Sequence, residues 1–219
     1  MRVLLFGSTG MIGQGALREC LSDPEVTEVL AVGRTPWGQR HPKVRDLVVP
    51  DVADLAAVER EIAGFDACFF CLGVTSAGMS EEGYSRVTYD LTLGVANTLV
   101  RLNPGMTFMY ISGMGADSSE QGRIMWARVK GRTENALIRL PFKAVYLFRP
   151  GLIIPLHGIR SRTTWYRLFY AVATPLYPML KRLAPAAVTT TEQLGRAMLA
   201  VARKGFSAAV LETRDINAL

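Results

Sequence analysis

Three glycines near the start of the sequence, Gly7, Gly10 and Gly13, have the spacing of a turn that holds a phosphate group. The apolar run 2–6 precedes them, and a helical pattern over 14–21 follows. Between a strand and a helix, such glycines let the chain turn sharply, let a pyrophosphate approach the backbone and let the helix pack closely on the sheet. The helix N-terminus adds unpaired N–H groups and the positive end of its dipole. The dinucleotide-binding residues predicted here are Gly7, Ser8, Thr9, Gly10, Met11, Ile12 and Gly13.

A second signal lies about twenty residues further on. The apolar run 29–32 is followed by Arg34, where a site for NAD would place an aspartate or glutamate for the ribose hydroxyls. An arginine can instead form a charge-assisted contact with a 2′-phosphate. The sequence therefore favours NADP over NAD, with Thr35, Arg40 and Lys43 as candidate helpers, and a solvated Arg34 is the alternative.

Asp51 and Val52 follow the third predicted strand, 47–49. A polar residue after this strand can reach the adenine amine, so both residues are predicted to lie in the cofactor site. Asp51 is equally suited to cap a predicted helix over 55–62.

Two further strand ends carry residues suited to contact a ligand. The apolar run 67–72 has the composition of a central parallel strand, and Gly73 follows it. Ser112 directly follows the predicted strand 107–111. Because ligands bind at the carboxyl ends of strands in open α/β sheets, Leu72 and Gly73 are predicted to contact the cofactor and Ser112 a ligand.

The elements that must position these residues alternate regularly. Helical patterns over 84–101 and 126–140 separate the strands at 67–72, 107–111 and 144–148, and a final short strand is predicted at 210–212. This alternation predicts a doubly wound parallel sheet, the Rossmann fold, in one domain over 1–219. In the 84–101 helix, a stripe of apolar residues is predicted to face the core: Val87, Leu91, Val95 and Leu99.

The regular alternation of strand and helix patterns ends after residue 151. The stretch 152–188 holds several prolines and aromatic residues, and we predict a small helical region that covers the substrate, with helices over 163–183. The final helix, 193–203, is preceded by a sequence at 189–192 that resembles a capping box.

Charge and cysteine content narrow the functional classes. Residues 122–185 carry 12 basic and 1 acidic side chains, which suits a phosphorylated ligand, an anionic membrane or an acidic partner. Nucleic acid is disfavoured as a partner because no recognition motif accompanies the charge.

The cysteines, at 20, 68 and 71, are predicted to be reduced thiols of a cytoplasmic protein without a metal site. Basic and aromatic residues over 160–182 suggest weak contact with anionic membranes, although the segment is not apolar enough to span one.

These motifs together resemble a known superfamily. The glycine pattern, Ser112, Lys130 in the next helix and Arg149-Pro150-Gly151 are similar to the atypical and extended branches of the short-chain dehydrogenases/reductases. The short length and the Lys130-Gly131-x-x-Glu134 pattern resemble the Tat-interacting oxidoreductase-like proteins and small epimerase-like relatives. The resemblance implies a small carbonyl or hydroxyl substrate and a Ser–Tyr–Lys mechanism. Ser112 would hydrogen-bond the substrate oxygen, Lys130 would hold the nicotinamide ribose, and Pro150 would lie in the cofactor site.

The sequence departs from this pattern at position 126. The family's tyrosine belongs four residues before the lysine, and here that residue is Trp126, whose indole N–H does not ionise usefully. Three interpretations stay open. Tyr84, Tyr110 or Tyr166 supplies the proton, the reaction does not need it, or the protein binds NADP as a catalytically silent regulatory protein.

Overall fold

A computed structural model of the chain describes residues 1–159, 182 and 184–219. Strands alternate with helices along these residues, as the sequence predicts. The strands are β1 (Arg2–Phe6), β2 (Glu28–Gly33), β3 (Val44–Val48), β4 (Ala67–Phe70), β5 (Thr107–Ile111), β6 (Ala144–Arg149), β7 (Leu152–Ile154), β8 (Val188–Thr190) and β9 (Val210–Glu212). The helices are α1 (Met11–Ser22), α2 (Glu81–Ser85), α3 (Leu91–Leu102), α4 (Met125–Ile138), α5 (Thr191–Lys204) and α6 (Thr213–Ala218).

Seven parallel strands form the main sheet in the order β3-β2-β1-β4-β5-β6-β9. Leu4 of β1 pairs with Leu30 on one side and with Cys68 on the other. The strand order reverses between β1 and β4, and in open α/β sheets this switch point opens the ligand crevice at the carboxyl ends of the strands. The predicted doubly wound sheet is confirmed.

Helices cover both faces of this sheet, which explains the continuous apolar runs in its central strands. On one face, Leu5 and Phe69 pack in a core that includes α1 and α5 residues. On the other face, Phe6 and Phe70 pack in a core that includes α3 residues. The strands that precede the candidate site are therefore held from both sides.

The helices α1 and α5 cross at two glycines. A Cβ on Gly15 would lie 2.7 Å from the Thr191 side chain, and one on Gly195 would lie 3.1 Å from the Gly15 carbonyl oxygen. Arg196 adds an ion pair to the buried Glu19, at 3.3 Å. The α5 helix thus braces the helix that begins at the glycine turn.

The predicted helix over 55–62 is wrong, because the structure has only a 3₁₀ turn at Ala56–Val58. The Asp51 carboxylate accepts the Ala53 N–H at 2.9 Å, and the Asp54 carboxylate accepts the Ala56 N–H at 3.1 Å. Such local side-chain bonds compete with helix formation and favour turns.

The helical segment predicted over 84–101 begins at Glu81, and its five residues Arg86–Asp90 form a π-helical turn. Val95 and Leu99 are buried as predicted, but Val87 is 39% exposed. The expected stripe fails there because the wider turn changes the angular spacing of the side chains.

The stretch 152–188 is framed by β7 and β8, which form a separate two-stranded parallel sheet rather than helices. The helices predicted over 163–183 lie outside the described residues, and so does the 160–182 membrane contact, apart from Arg182. In the part of the chain that the structure describes, no helix has the length and hydrophobicity needed to cross a membrane.

Candidate functional site

The glycine turn between β1 and α1 has no room for side chains at two of its positions. Gly7 has a φ of +84°, and a Cβ there would lie 2.9 Å from the Cys71 carbonyl group. A Cβ on Gly13 would lie 2.0 Å from the Gly7 carbonyl oxygen. The fold itself therefore requires glycine at both positions.

Gly10 differs from its two neighbours in the motif. It is the N-cap of α1 with φ −79° and ψ 163°, and a Cβ there would meet only the Gly7 oxygen, at 3.3 Å. No side chain of the described residues caps α1. Its first N–H groups, from residues 11–13, thus remain suited to an anion, and the buried Ser8 lies beside them. The turn fits the pyrophosphate of a dinucleotide.

The residues predicted for the adenosine end lie after β2 and β3. Arg34 is exposed and has no hydrogen-bond or ion-pair partner among the described residues. Thr35 and Arg40 are also exposed. Lys43 instead donates to the carbonyl groups at the end of α1, at 3.1 Å to Leu21 and 2.6 Å to residue 23, so its expected helping role is wrong.

The remaining cofactor candidates lie after β3 and β4. Asp51 is exposed and closes a turn, and Val52 is buried. The Leu72 N–H borders Gly7, because a Cβ on that glycine would lie 3.1 Å from it. A Cβ on Gly73 would meet nothing within 4 Å, so the backbone there is open to a ligand.

Ser112 carries an unsatisfied hydroxyl. Its backbone N–H donates to the Phe148 carbonyl oxygen at 2.8 Å, which fixes the residue at the end of β5. Its Oγ is buried and has no hydrogen-bond partner in the described residues. Buried hydroxyls are seldom left unpaired, since each such group costs about 1–3 kcal/mol. The side chain is therefore suited to bind a ligand oxygen.

Lys130 reaches the same strand end from α4. Its Nζ donates to the Tyr110 hydroxyl at 3.0 Å and to the Ile111 carbonyl oxygen at 3.1 Å. The Nζ also lies 4.6 Å from the centre of the Tyr110 ring. Burial lowers the pKa of Lys130 to about 8, against an opposing attraction from Glu134.

Trp126 lies one helical turn before Lys130. Its ring borders the loop after β5, because Cβ atoms on Gly113 and Gly115 would lie 4.0 and 3.6 Å from it. Together with the Lys130 contact at Ile111, this brings Trp126, Ser112 and Lys130 to the carboxyl end of β5. The three residues predicted for catalysis thus share one location.

A buried ion-pair network supports this helix, and the sequence analysis assigned it no role. Glu134 is 1% exposed and accepts from the Arg149 guanidinium at 3.0 and 3.2 Å. Arg149 also donates to the Ser118 hydroxyl at 2.6 Å and pairs with Glu212 at 3.4 Å. The available signal was that Glu134 is the only acidic residue between 122 and 185. Pro150, next in the chain, is buried and accepts the residue 114 N–H at 3.0 Å through its carbonyl group.

Two of the three alternative tyrosines are almost completely buried. Tyr84 and Tyr110 are 3% and 1% exposed, and burial raises the pKa of each. Tyr166 lies outside the described residues.

Burial raises the pKa of the Cys20 thiol to about 12. Nowhere in the described residues do three or more histidine, cysteine or acidic side chains gather as a metal site would require.

Comparison with known proteins gives relatives but no matching family model. The chain is 30% identical over 155 residues to Protein HTATIP2 of Rattus norvegicus, a match that covers 69% of this chain and 62% of that protein. It is 30% identical over 158 residues to the mitochondrial protein fmp52 of Emericella nidulans, covering 69% and 66%. The matched region thus spans less than two thirds of each relative's length.

Solved structures show the same fold at low sequence identity. The Bordetella bronchiseptica enzyme WbmF, solved with NAD⁺, has a TM-score of 0.69 at 16% identity, over 99% of this chain and 76% of that one. DesIV of Streptomyces venezuelae, a dTDP-glucose 4,6-dehydratase solved with NAD, has a TM-score of 0.69 at 18% identity, over 100% and 79%.

The relatives correct one expectation. The protein FMP52 of Debaryomyces hansenii, 28% identical over 70% of this chain and 67% of its own, is mitochondrial, as is fmp52 of Emericella nidulans. The expected cytoplasmic location is therefore wrong.

Proposed function

We propose that this chain, which resembles the short-chain dehydrogenases/reductases in fold and is a relative of HTATIP2 and FMP52, binds NADP and acts as an oxidoreductase or epimerase-like enzyme on a small carbonyl or hydroxyl compound. The observation that carries the proposal is the glycine turn. Gly7 and Gly13 are sterically required by the fold, whereas Gly10 is not, and the start of α1 beside it has no side-chain cap. A glycine that the fold does not need, beside free N–H groups, is accounted for by a bound pyrophosphate.

The preference for NADP is supported by Arg34. This exposed guanidinium has no ion-pair partner in the described residues, so it is available to a 2′-phosphate. A carboxylate in the same place would repel that phosphate. Substitution of this exposed residue should also cost the protein little stability, so a change in cofactor binding can be attributed to the lost contact.

At the reacting end, Ser112 would donate a hydrogen bond to the substrate oxygen, and Lys130 would hold the ribose of the cofactor. The nicotinamide, when bound, supplies or accepts the hydride. Trp126 can donate a hydrogen bond through its indole N–H and can pack on the substrate, but it cannot exchange a proton.

The rim of the site favours an apolar substrate. Three large apolar side chains are about half exposed at this edge of the sheet: Val74 (53%), Met114 (48%) and Ile124 (58%). They lie after β4, after β5 and at the N-cap of α4, respectively. Exposed apolar residues around a polar centre suit a carbonyl compound with a hydrocarbon chain.

Isothermal titration calorimetry with NADPH and NADH tests the cofactor proposal. We expect Arg34→Ala to weaken NADPH binding by about 10- to 100-fold, from the loss of one charge-assisted contact, and to leave NADH binding unchanged. Arg139→Ala, which removes an exposed arginine at the far end of α4, is the matched control. Gly10→Ala should weaken the binding of both cofactors while keeping the melting temperature within a few degrees of the wild type, because the methyl group would displace only the Gly7 carbonyl oxygen, by a few tenths of an ångström.

Three results would contradict the proposal. They are the absence of binding by either cofactor at millimolar concentration, an equal effect of Arg34→Ala and Arg139→Ala, and a Gly10→Ala variant that binds like the wild type. NADPH oxidation with aldehydes of increasing chain length then tests the substrate class, and activity confined to short polar aldehydes would contradict it.

Trp126 supports a second candidate, a catalytically silent NADP-binding regulatory protein. In that case Trp126→Tyr should gain NADPH oxidation that the wild type lacks. Strong turnover by the unaltered protein would exclude this candidate.

A further inference from the structure

The superfamily's tyrosine and lysine pair lies within one helix, four residues apart, and Trp126 makes that pair impossible here. The structure nevertheless contains a tyrosine bonded to the lysine. It is Tyr110, on β5, whose hydroxyl lies 3.0 Å from Lys130 Nζ. The pairing crosses from strand to helix instead of running along α4.

Two hydrogen-bond acceptors and an aromatic ring hold the Lys130 ammonium group, and we call this arrangement the ammonium site. The Tyr110 hydroxyl and the Ile111 carbonyl oxygen each accept one N–H, and the Tyr110 ring lies 4.6 Å from the Nζ. Tyr110 is 1% exposed and packs against the Phe70 ring, with centroids 6.1 Å apart, so its hydroxyl has little freedom. An ammonium group has three N–H donors, and the described residues accept two of them. One N–H remains for a ligand.

Other ionisable groups lie near the ammonium site but do not hydrogen-bond to Lys130. Glu134, on α4, attracts the ammonium but is engaged by Arg149 of β6. Tyr84, on α2, interacts with Tyr110 rather than with Lys130. Among these groups, only Tyr110 shares a hydrogen bond with the lysine.

We propose that Tyr110 replaces residue 126 as the tyrosine partner of Lys130. It is a positioning residue: its hydroxyl holds the ammonium at the carboxyl end of β5 so that the remaining N–H can bind a ribose hydroxyl of the cofactor. The pairing rests on the contacts of the described residues alone, whereas the binding of a ribose hydroxyl rests on the proposed function.

The test is a pH titration of the lysine side chains by NMR with ¹³Cε-labelled lysine. The chain has few lysines, and Lys130→Arg assigns the resonance. Tyr110→Phe keeps the ring and removes the hydroxyl acceptor. Since that acceptor stabilises the charged amine, we expect the pKa of Lys130 to fall by about one unit in Tyr110→Phe. Trp126→Phe, the matched control in the same site, should leave it within a few tenths of a unit.

The proposal is overturned if Tyr110→Phe leaves the lysine titration unchanged, or if Trp126→Phe shifts it equally. Should Tyr110→Phe not fold, Lys130→Met gives the reciprocal measurement on the ¹³Cζ resonance of Tyr110. That resonance should move, and an unchanged one would contradict the pairing.

NADPH titration of the same variants separates this inference from the proposed function. We expect Tyr110→Phe to bind NADPH several-fold more weakly than the wild type does. If the wild type binds no NADPH while the lysine titration behaves as expected, the pairing holds and the cofactor assignment fails. If Tyr110→Phe binds NADPH as tightly as the wild type, the positioning role fails.

Discussion

Substitution of Gly131 by alanine should strongly destabilise the protein, although alanine is the better helix former. Gly131 lies inside α4, and a Cβ there would be 1.7 Å from the Asp117 carbonyl oxygen and 2.3 Å from its carbon. Ordinary contacts between such atoms are about 3.5 Å, so the loop would have to retreat by well over 1 Å. That movement strains the 2.9 Å bond from the Asp117 N–H to the Ala127 carbonyl oxygen and the 2.9 Å bond from Asn135 to the Ser118 carbonyl oxygen.

The magnitude follows from three contributions. Overpacking costs about 1–3 kcal/mol, each weakened hydrogen bond costs about 1 kcal/mol, and the better helix propensity of alanine returns about 1 kcal/mol. We expect the free energy of unfolding to fall by about 2–4 kcal/mol. Gly94→Ala is the matched control, because Gly94 also lies inside a helix and a Cβ there would meet only one carbonyl oxygen, at 3.9 Å.

Urea unfolding followed by tryptophan fluorescence measures both variants. The control should be as stable as the wild type or up to about 1 kcal/mol more stable. A Gly131→Ala protein as stable as the wild type would refute the close approach of α4 to the loop after β5. So would equal losses in the two variants, because propensity alone would then explain them.

Three further predictions concern charged groups. Arg149→Met should lower the free energy of unfolding by about 3 kcal/mol in urea titrations, because it leaves the buried Glu134 carboxylate without its partner; adding Glu134→Leu should recover much of the loss. Lys130→Met should differ from the wild type in the pH dependence of its stability. The folded-state pKa of Lys130 is about 8, below the unfolded value of 10.5, so between those values the unfolded chain binds more protons than the folded one. The stability of the wild type should therefore rise relative to that of the variant from pH 8 to 10.5. A flat difference between pH 8 and 10 would contradict this. The hydrogen bond from His157 lowers the pKa of Glu192, so the contribution of that carboxylate is present above about pH 4.5 and is lost as the pH falls through its folded-state value. The stability advantage of the wild type over Glu192→Gln should therefore shrink in acid, as thermal unfolding at a series of pH values can check.

The fold was predictable because its signals are local. The strands β1, β2, β4, β5 and β6 each contain an apolar run of the sequence, and the glycine turn falls between β1 and α1 as expected. The strand β3 (Val44–Val48) only overlaps the predicted strand 47–49, because it includes the charged residues Arg45 and Asp46. The predicted capping box was half right. The Thr190 hydroxyl accepts the Gln193 N–H at 3.0 Å, but Glu192 pairs with His157 and Arg196.

The features that escaped the sequence depend on partners far apart in the chain or on competing local bonds. Lys43 is held by the end of α1, 20 and 22 residues away, and no pattern around it indicates this. The Tyr110–Lys130 contact joins residues 20 apart on different elements. The turn at Ala56–Val58 forms because the Asp51 and Asp54 side chains bond to nearby backbone N–H groups, although the sequence pattern indicates a helix.

The crossing of α1 and α5 at Gly15 and Gly195 has a consequence for biosynthesis. Arg196 meets Glu19 across 177 residues of sequence. At a translation rate of about 5–20 residues per second, α1 waits roughly 10–35 s for the helix that covers it. A ribosome-bound nascent chain that ends after β6 thus lacks the helix that covers this side of α1.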